Sequence, residues 1–389
     1  MAVRSGPDPN KTAPAVKLAQ VNTAAKGVGA LCAVVLLTGA GAVALHRSSS
    51  HQTHVAGARS SSAAPADVTT VPVAPPTTTP PVGPVAPTGC PPPPRPPQPP
   101  VTPWKPAVLI PEAALPAAPP PQPRVGDLDA LAGKGMWTWK VKSTEGGDVD
   151  AIVDRAMRSG LRQLWVRVGD SQDGFYASDF LTRLLPAAHR EHLAVVGWGY
   201  PYLYDPEGDA RWSRQALDFR GPNGDRLDGF TADLESAAEG PDVSARRATV
   251  YLGELAAAKD GRPLVATVFT PTDRRLKTYP YAAMAPYVDA LAPMVYWGCT
   301  EPGAAASQAL GRLQGLAPVH VIGQAYDMAP EGGRLGAPSA AEITRFLDVV
   351  RRGGAMGASF WDWQEMTPPE WAALAGFDWP QPRVSARLR

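Results

Sequence analysis

Between residues 126 and 380, eight short runs rich in apolar and β-branched residues alternate with stretches whose apolar residues recur at helical spacing. That alternation restricts the fold more than any other feature of the chain. The runs read as strands cover 135–139, 163–168, 194–199, 229–234, 264–269, 290–297, 320–324 and 357–363. Between them the apolar stripes Ile152, Val153, Ala156 and Met157; Leu181, Leu184, Leu185 and Ala188; and Ala248, Tyr251, Leu252 and Leu255 predict amphipathic helices. Ser339 and Glu342 form a capping-box pattern ahead of Ile343, Phe346, Leu347 and Val350. Eight strand–helix units in strict alternation imply parallel strands joined by right-handed crossovers. An α/β fold of the (β/α)8 TIM-barrel type is therefore expected, and its length suits the ~250 residues usual for one. A doubly wound open sheet is the competing fold, but it usually needs fewer units, and a dinucleotide fingerprint is absent.

The rest of the 389 residues does not read as a packed domain. Residues 1–26 are polar and basic and read as a cytoplasmic tail; residues 27–45 carry no charge and, as a helix, would rise by roughly 28 Å, enough to span a bilayer as a signal-anchor. Basic residues ahead of that span predict a single-pass protein of the cell membrane with its barrel outside. Secretion after signal cleavage is the alternative, because Ala42-Val43-Ala44 resembles a cleavage site. Residues 46–125 form a Pro/Thr-rich linker, with 24 of the 45 prolines lying between Pro65 and Pro123. Proline locks φ and donates no hydrogen bond, so this stretch favours an extended polyproline conformation and reads as a spacer. The barrel is assigned to 126–380 and a short tail to 381–389.

The chemistry is narrowed by what is missing. A net charge of +1 points to no nucleic-acid partner. Cys32, Cys90 and Cys299 are too scattered for a disulfide framework or a thiolate metal site, although Cys90 and Cys299 could pair outside the cell. The barrel histidines His189, His192 and His320 fall late in a helix or at the start of a strand, away from the rim where barrel active sites lie, so a Ser-His-Asp triad or a His-rich metal site is not expected. No cofactor is called for. What remains is carboxylate and aromatic. Along 229–234 alternate residues share a face, so Thr231, Asp233 and Glu235 point one way, and Phe230, Ala232 and Leu234 the other. Trp137, Trp198, Tyr296, Trp297, Tyr326 and Trp361 end other strands, with Asp170 nearby. Sugars have apolar ring faces and polar rims, so aromatic platforms with carboxylates between them suit a glycan groove.

Asp228-Gly-Phe-Thr-Ala-Asp-Leu-Glu235 resembles the fourth-strand signature Asp-x-x-Asp-x-Asp-x-Glu of glycoside hydrolase family 18, the chitinase and endo-N-acetylglucosaminidase family. Met294-Val-Tyr296 resembles the start of that family's sixth-strand Met-x-Tyr-Asp, and Trp361 its eighth-strand tryptophan. The resemblance implies Glu235 as general acid and base, Asp233 orienting the substrate's acetamido group, Tyr296 hydrogen-bonding that group, and Trp361 stacking beneath the sugar. Trp297, Trp137, Gln324, Tyr326 and Asp170 complete the expected substrate-binding set. Thr231 and Trp297 stand where the family has aspartates. The implied activity is hydrolysis of a β-linked, N-acetylated polysaccharide. The alternatives are a non-catalytic glycan-binding barrel of the cell envelope or a family 25-like muramidase, with which Trp361-Asp362-Trp363-Gln364 is also compatible.

Overall fold

The computed structural model describes residues 106, 108–237 and 239–380. The expected cytoplasmic tail, the 27–45 span, most of the linker and the 381–389 tail lie outside the described residues. Among the described residues no helix is long and apolar enough to cross a membrane. Cys299 is in a disulfide, and Cys90, with which it could pair, lies outside the described residues.

Eight parallel strands close into a barrel. They are β1 (Gly133–Thr138), β2 (Gln163–Asp170), β4 (Ala194–Tyr200), β5 (Gly229–Asp233), β6 (Leu264–Phe269), β7 (Ala290–Val295), β8 (His320–Gln324) and β9 (Gly357–Trp361), and β1 pairs with both β2 and β9. A two-residue strand, β3 (Gly174–Phe175), folds back antiparallel on β2 and was not foreseen from the sequence. Around the barrel run α1 (Val149–Arg158), α2 (Ser178–Arg190), α3 (Pro206–Asp218), α4 (Ala245–Ala258), α5 (Asp273–Thr278), α6 (Tyr281–Met284), α7 (Pro302–Leu313), α8 (Ala340–Arg352) and α9 (Pro368–Gly376). The capping box of α8 is formed, and its four apolar residues are buried. In the α1 stripe Ile152, Val153 and Ala156 are buried, while Met157 lies outside the core, exposed.

Strand alternation sorts the core into two parts. Phe230 and Ala232 of β5, and Leu234 just past its end, join the layer between barrel and helices, with Val166, Val268, Val321 and Phe360. The barrel interior is filled by Trp137, Trp165, Trp198, Val196, Val265, Met294 and Ile322. Trp137 stacks on Trp165 at 5.0 Å, and Trp165 rests on His320 at 4.8 Å. Gly135 is required at this level, because a Cβ there would come within 2.8 Å of the Trp165 indole nitrogen.

The end of the proline-rich segment packs on the barrel. From Val108 to Val125 the chain lies along α4: Ile110 donates its N–H to the Tyr204 carbonyl, Arg247 donates to the Ile110 carbonyl, and Pro119 covers Gly253. Its lower end is pinned by a buried ion pair, Lys259 Nζ to Asp289 at 2.8 and 3.0 Å. Lys259 also donates to the Pro123 carbonyl, and Asp289 accepts the N–H groups of Val125 and Leu264. Removing one member strands the other charge in a dry site. We therefore expect Asp289→Ala to cost about 3–5 kcal/mol in denaturant unfolding and to open 108–125 to proteolysis before the barrel.

A second ion pair ties α2 to β5. His189 lies 3.0 Å from both Asp225 and Asp228, and Asp228 also accepts the Val195 N–H. The first aspartate of the sequence motif is therefore a brace at the base of the strand. The Asp228 hydrogen bond is the main cause that lifts His189 to about 9, against an opposing desolvation. A raised histidine stabilises fully below its unfolded value near ~6.5, and that contribution is lost as pH rises through the folded value. His189→Gln is expected to be less stable than the parent by on the order of 1–3 kcal/mol at pH 6. The gap should close by pH 10 in denaturation midpoints.

Candidate functional site

At the carboxyl ends of the strands a cavity of about 800 Å³ opens, and Asp233, Glu235, Tyr296, Tyr326 and Trp361 all line it. Asp233 is the last residue of β5 and faces inward with Thr231 beneath it. Glu235 follows one pleat later, past Leu234, whose side chain is buried in the outer layer. The period of two thus places both carboxyls on one cavity wall.

Asp233 is buried, and its Oδ1 has no hydrogen-bond partner. Desolvation raises its pKa, with the Arg167 guanidinium pulling the other way. Glu235 is raised as well, first by desolvation and then by the charges of Asp233, Glu239 and Glu331. Two carboxyls this close in a dry wall cannot both ionise cheaply, so the pair retains a proton well above the ordinary carboxylate range. Arg167 is the counter-charge acting on both acids. It sits 3.1 Å from Asp170, 4.3 Å from the Trp198 ring and 5.1 Å from the Tyr200 ring.

Tyr296 packs edge-on to Tyr326 at 5.5 Å. Burial, then the Tyr326 neighbour and the two acids, push its pKa far up, so it remains a hydrogen-bond donor. Tyr326 donates to Glu331 Oε2 at 2.9 Å. Trp361 forms the floor, 5.6 Å from Trp198 and 6.2 Å from Trp137, with the more exposed Trp139 at 6.0 Å on its other side.

The other residues expected to bind substrate are placed differently. Asp170 is not on the cavity wall: it holds Arg167 and accepts the N–H groups of Gln172 and Asp173 to close the turn into β3. Gln324 is buried, accepting from Gly298 N–H and donating to the Tyr326 carbonyl, which fixes the loops after β7 and β8. Trp297 reaches the cavity edge but packs its ring on Phe346 at 5.1 Å in the outer layer. Trp137 touches the cavity from below and donates its indole N–H to Ser359. Thr231 bonds Thr267 at 2.9 Å, so a neutral hydroxyl pair lies beneath Asp233.

Several wall residues were not singled out from the sequence: Glu239, Phe269, Arg275, Arg312 and Glu331. Phe269 ends β6 and Arg312 lies near the end of α7, while Glu239, Arg275 and Glu331 come from loops and short helices, where no periodicity marks which side chain turns inward. A second concavity of about 830 Å³ lies outside the barrel between α7 and α8, lined largely by small residues and without an acid pair. The rim cavity is thus the candidate active site of a barrel built for acid chemistry on an aromatic floor.

No protein-family model matches the chain, and no curated protein is similar to it. Among solved structures it is similar to the spore cortex-lytic enzyme SleL of Bacillus megaterium, at 10% identity and a TM-score of 0.46 over 64% of this chain and 75% of that one. It is also similar to a chitinase from Chromobacterium violaceum, at 12% identity and 0.46 over 62% of this chain and 98% of that one. The endo-beta-1,4-mannanase of Thermotoga petrophila matches at 11% and 0.46 over 59% and 68%. At such identities and scores the activity of none of these proteins transfers to this chain.

Because Glu331 contributes like charge, neutralising it should make Glu235 easier to ionise. Glu331→Gln is expected to lower the Glu235 titration midpoint, followed by carbon NMR of labelled glutamate side chains. A midpoint that does not move would place Glu331 outside the field of the pair.

Proposed function

We propose that this protein is a glycoside hydrolase acting on a β-linked, N-acetylated glycan, with Glu235 as proton donor. The observation that carries the reading is the convergence of Asp233 and Glu235 on one cavity floored by Trp361, with Asp233 Oδ1 buried and unpartnered. A buried acceptor with no donor leaves room for one that a substrate brings, and an acetamido N–H is such a donor.

In this reading the sugar lies on Trp361, Asp233 accepts the acetamido N–H, and Tyr296 donates to the acetamido oxygen. That oxygen attacks the anomeric carbon as the glycosidic C–O bond breaks, and the leaving oxygen takes the Glu235 proton. Water then adds at the anomeric carbon, gives its proton to Glu235, and releases the acetamido oxygen. No protein nucleophile is needed, so one raised carboxyl and one orienting carboxyl suffice. Desolvation is what keeps Glu235 protonated for the first step.

The setting we propose is the cell surface, with residues 27–45 as anchor and the part of the Pro/Thr-rich segment ahead of the 108–125 strap as spacer. The second reading is a barrel that binds glycan without turnover. The neutral Thr231–Thr267 pair favours it, because a neighbouring acid that could share a proton with Asp233 is replaced by hydroxyls.

Turnover of a soluble chitin oligosaccharide separates the two. Glu235→Gln is expected to lower kcat by roughly 10²–10⁴-fold with binding retained, and the parent rate should fall as pH rises through the raised Glu235 value. Binding by the parent protein without product would establish the second reading.

A further inference from the structure

The acid pair and the indole floor account for only part of the cavity. Its wall built by α5, α7 and the end of β6 presents Phe269, Thr270, Thr272, Arg275, Gln308 and Arg312. A neutral chitin-like strand offers nothing that needs two guanidinium groups there. We propose that this wall is a subsite for a carboxylate borne by the glycan, so that the substrate class is an acidic N-acetylated saccharide. The inference rests on the glycosidase reading above and names the substrate more narrowly.

The Arg275 guanidinium carbon lies over the Phe269 ring, 4.1 Å from its centroid. Its one side-chain hydrogen bond, to the Thr270 carbonyl, is long at 3.4 Å. Among the described residues no carboxylate lies within ion-pair distance of it. A guanidinium held over an aromatic face with one long backbone contact keeps other N–H groups available, which suits recognition of a carboxylate. Arg312 lines the same cavity, bonded to the Pro271 carbonyl at 2.8 Å and to Asp273 at 2.5 Å. Asp273 is 84% exposed, so that pair is easily exchanged with a ligand anion.

The charges of the cavity come from different elements, the acids from β5 and the segments after β5 and β8, the arginines from α5 and α7. Asp233, Glu235, Glu239 and Glu331 line the rest of the wall. They would repel a carboxylate from the sugar on Trp361, while Arg275 and Arg312 attract one elsewhere along the strand. An alternating glycan, with the acetamido sugar at the acid pair and the anionic substituent at the arginines, satisfies both halves. A ring carboxylate, as in a uronic acid, and a carboxylate on a lactyl ether offer the same chemistry.

The test uses the full chain carrying Glu235→Gln, so that bound glycan is not consumed. Calorimetry compares a hyaluronan octasaccharide and peptide-free peptidoglycan strands, each with its carboxyl-reduced counterpart, and neutral chitohexaose. We expect at least one acidic glycan to bind about tenfold or more tightly than its reduced form at low salt. That ratio should shrink toward one with Arg275→Gln and fall below one with Arg275→Glu; Arg312→Gln serves if the first variant fails to fold. Which acidic glycan shows the ratio distinguishes the ring carboxylate from the lactyl one. A ratio of one for both glycans, or a ratio that survives loss of both arginines, would overturn the subsite while leaving chitohexaose binding as support for the glycosidase. Absence of binding by every glycan, chitohexaose included, would instead bring down the glycosidase reading and this one with it.

Discussion

An eight-stranded barrel must fill its own interior, and here stacked indoles do much of that filling. Trp165 sits lowest, on His320, with Trp137 above it and Trp198 at its edge. An indole buried without a partner for its N–H carries a cost, and for Trp137 a short chain of donors and acceptors removes it. Trp137 N–H donates to Ser359 Oγ, 2.8 Å away; the Ser359 hydroxyl, 3.0 Å from His320 Nε2, donates in turn; and His320 Nδ1 faces the Leu131 carbonyl at 2.8 Å. The chain closes only if His320 is neutral with its proton on Nδ1, and burial, which pushes its pKa down to about 4, keeps it so. Because these rings occupy the lower barrel, Trp361 is lifted to the level of the rim. The floor of the cavity is set by packing that begins at the opposite end.

Above that floor, desolvation and charge act in opposite directions on the same two carboxyls. Burial raises both, and Arg167 restrains the rise. Arg167 cannot swing into direct contact without giving up Asp170 and its place over Trp198. It therefore acts as a fixed positive charge at a distance and not as a salt-bridge partner. Such an arrangement is unfavourable for folding, since a carboxyl raised in the native state loses stability as pH climbs past its unfolded value. Strain of this kind tends to concentrate where function requires a proton to be held.

Much of this was legible in the chain because a strand buried on both faces reads as a short apolar, β-branched run between helical stripes, and polar residues on one face then reveal the period of two. The eight strands and the split of Thr231 and Asp233 from Phe230, Ala232 and Leu234 follow from it directly. The same logic failed just past the strand ends. Trp297 lies two residues beyond β7 and turns outward onto Phe346, and Asp170 ends β2 but closes a hairpin turn. Gln324 has the inward register of a ligand-binding residue, yet both ends of its amide are taken by neighbouring backbone. Glu239, Arg275 and Glu331 sit in loops or short helices whose direction no local pattern encodes. Thr231 was noticed as a departure from an acidic motif, but its partner Thr267, one strand over, could be seen only once the register of β5 on β6 was known.

The proline-rich segment shows a different kind of limit. Proline removes backbone donors, and from that the whole of 46–125 reads as an extended spacer. The carbonyl groups remain, however, and the barrel meets them with cations. Arg247 takes the Ile110 carbonyl, Arg246 that of Leu115, and Lys259 that of Pro123. Arg124 reciprocates by donating to the carbonyls of Ala285, Val288 and Leu316. A chain poor in donors can thus be bound along its length by a surface rich in them. Because Ile110 joins Tyr204, just beyond the carboxyl end of β4, and Val125 joins Asp289, at the start of β7, the strap descends from the rim to the base. The segment therefore meets the barrel on the same side as the cavity before it crosses to begin β1 at the other end.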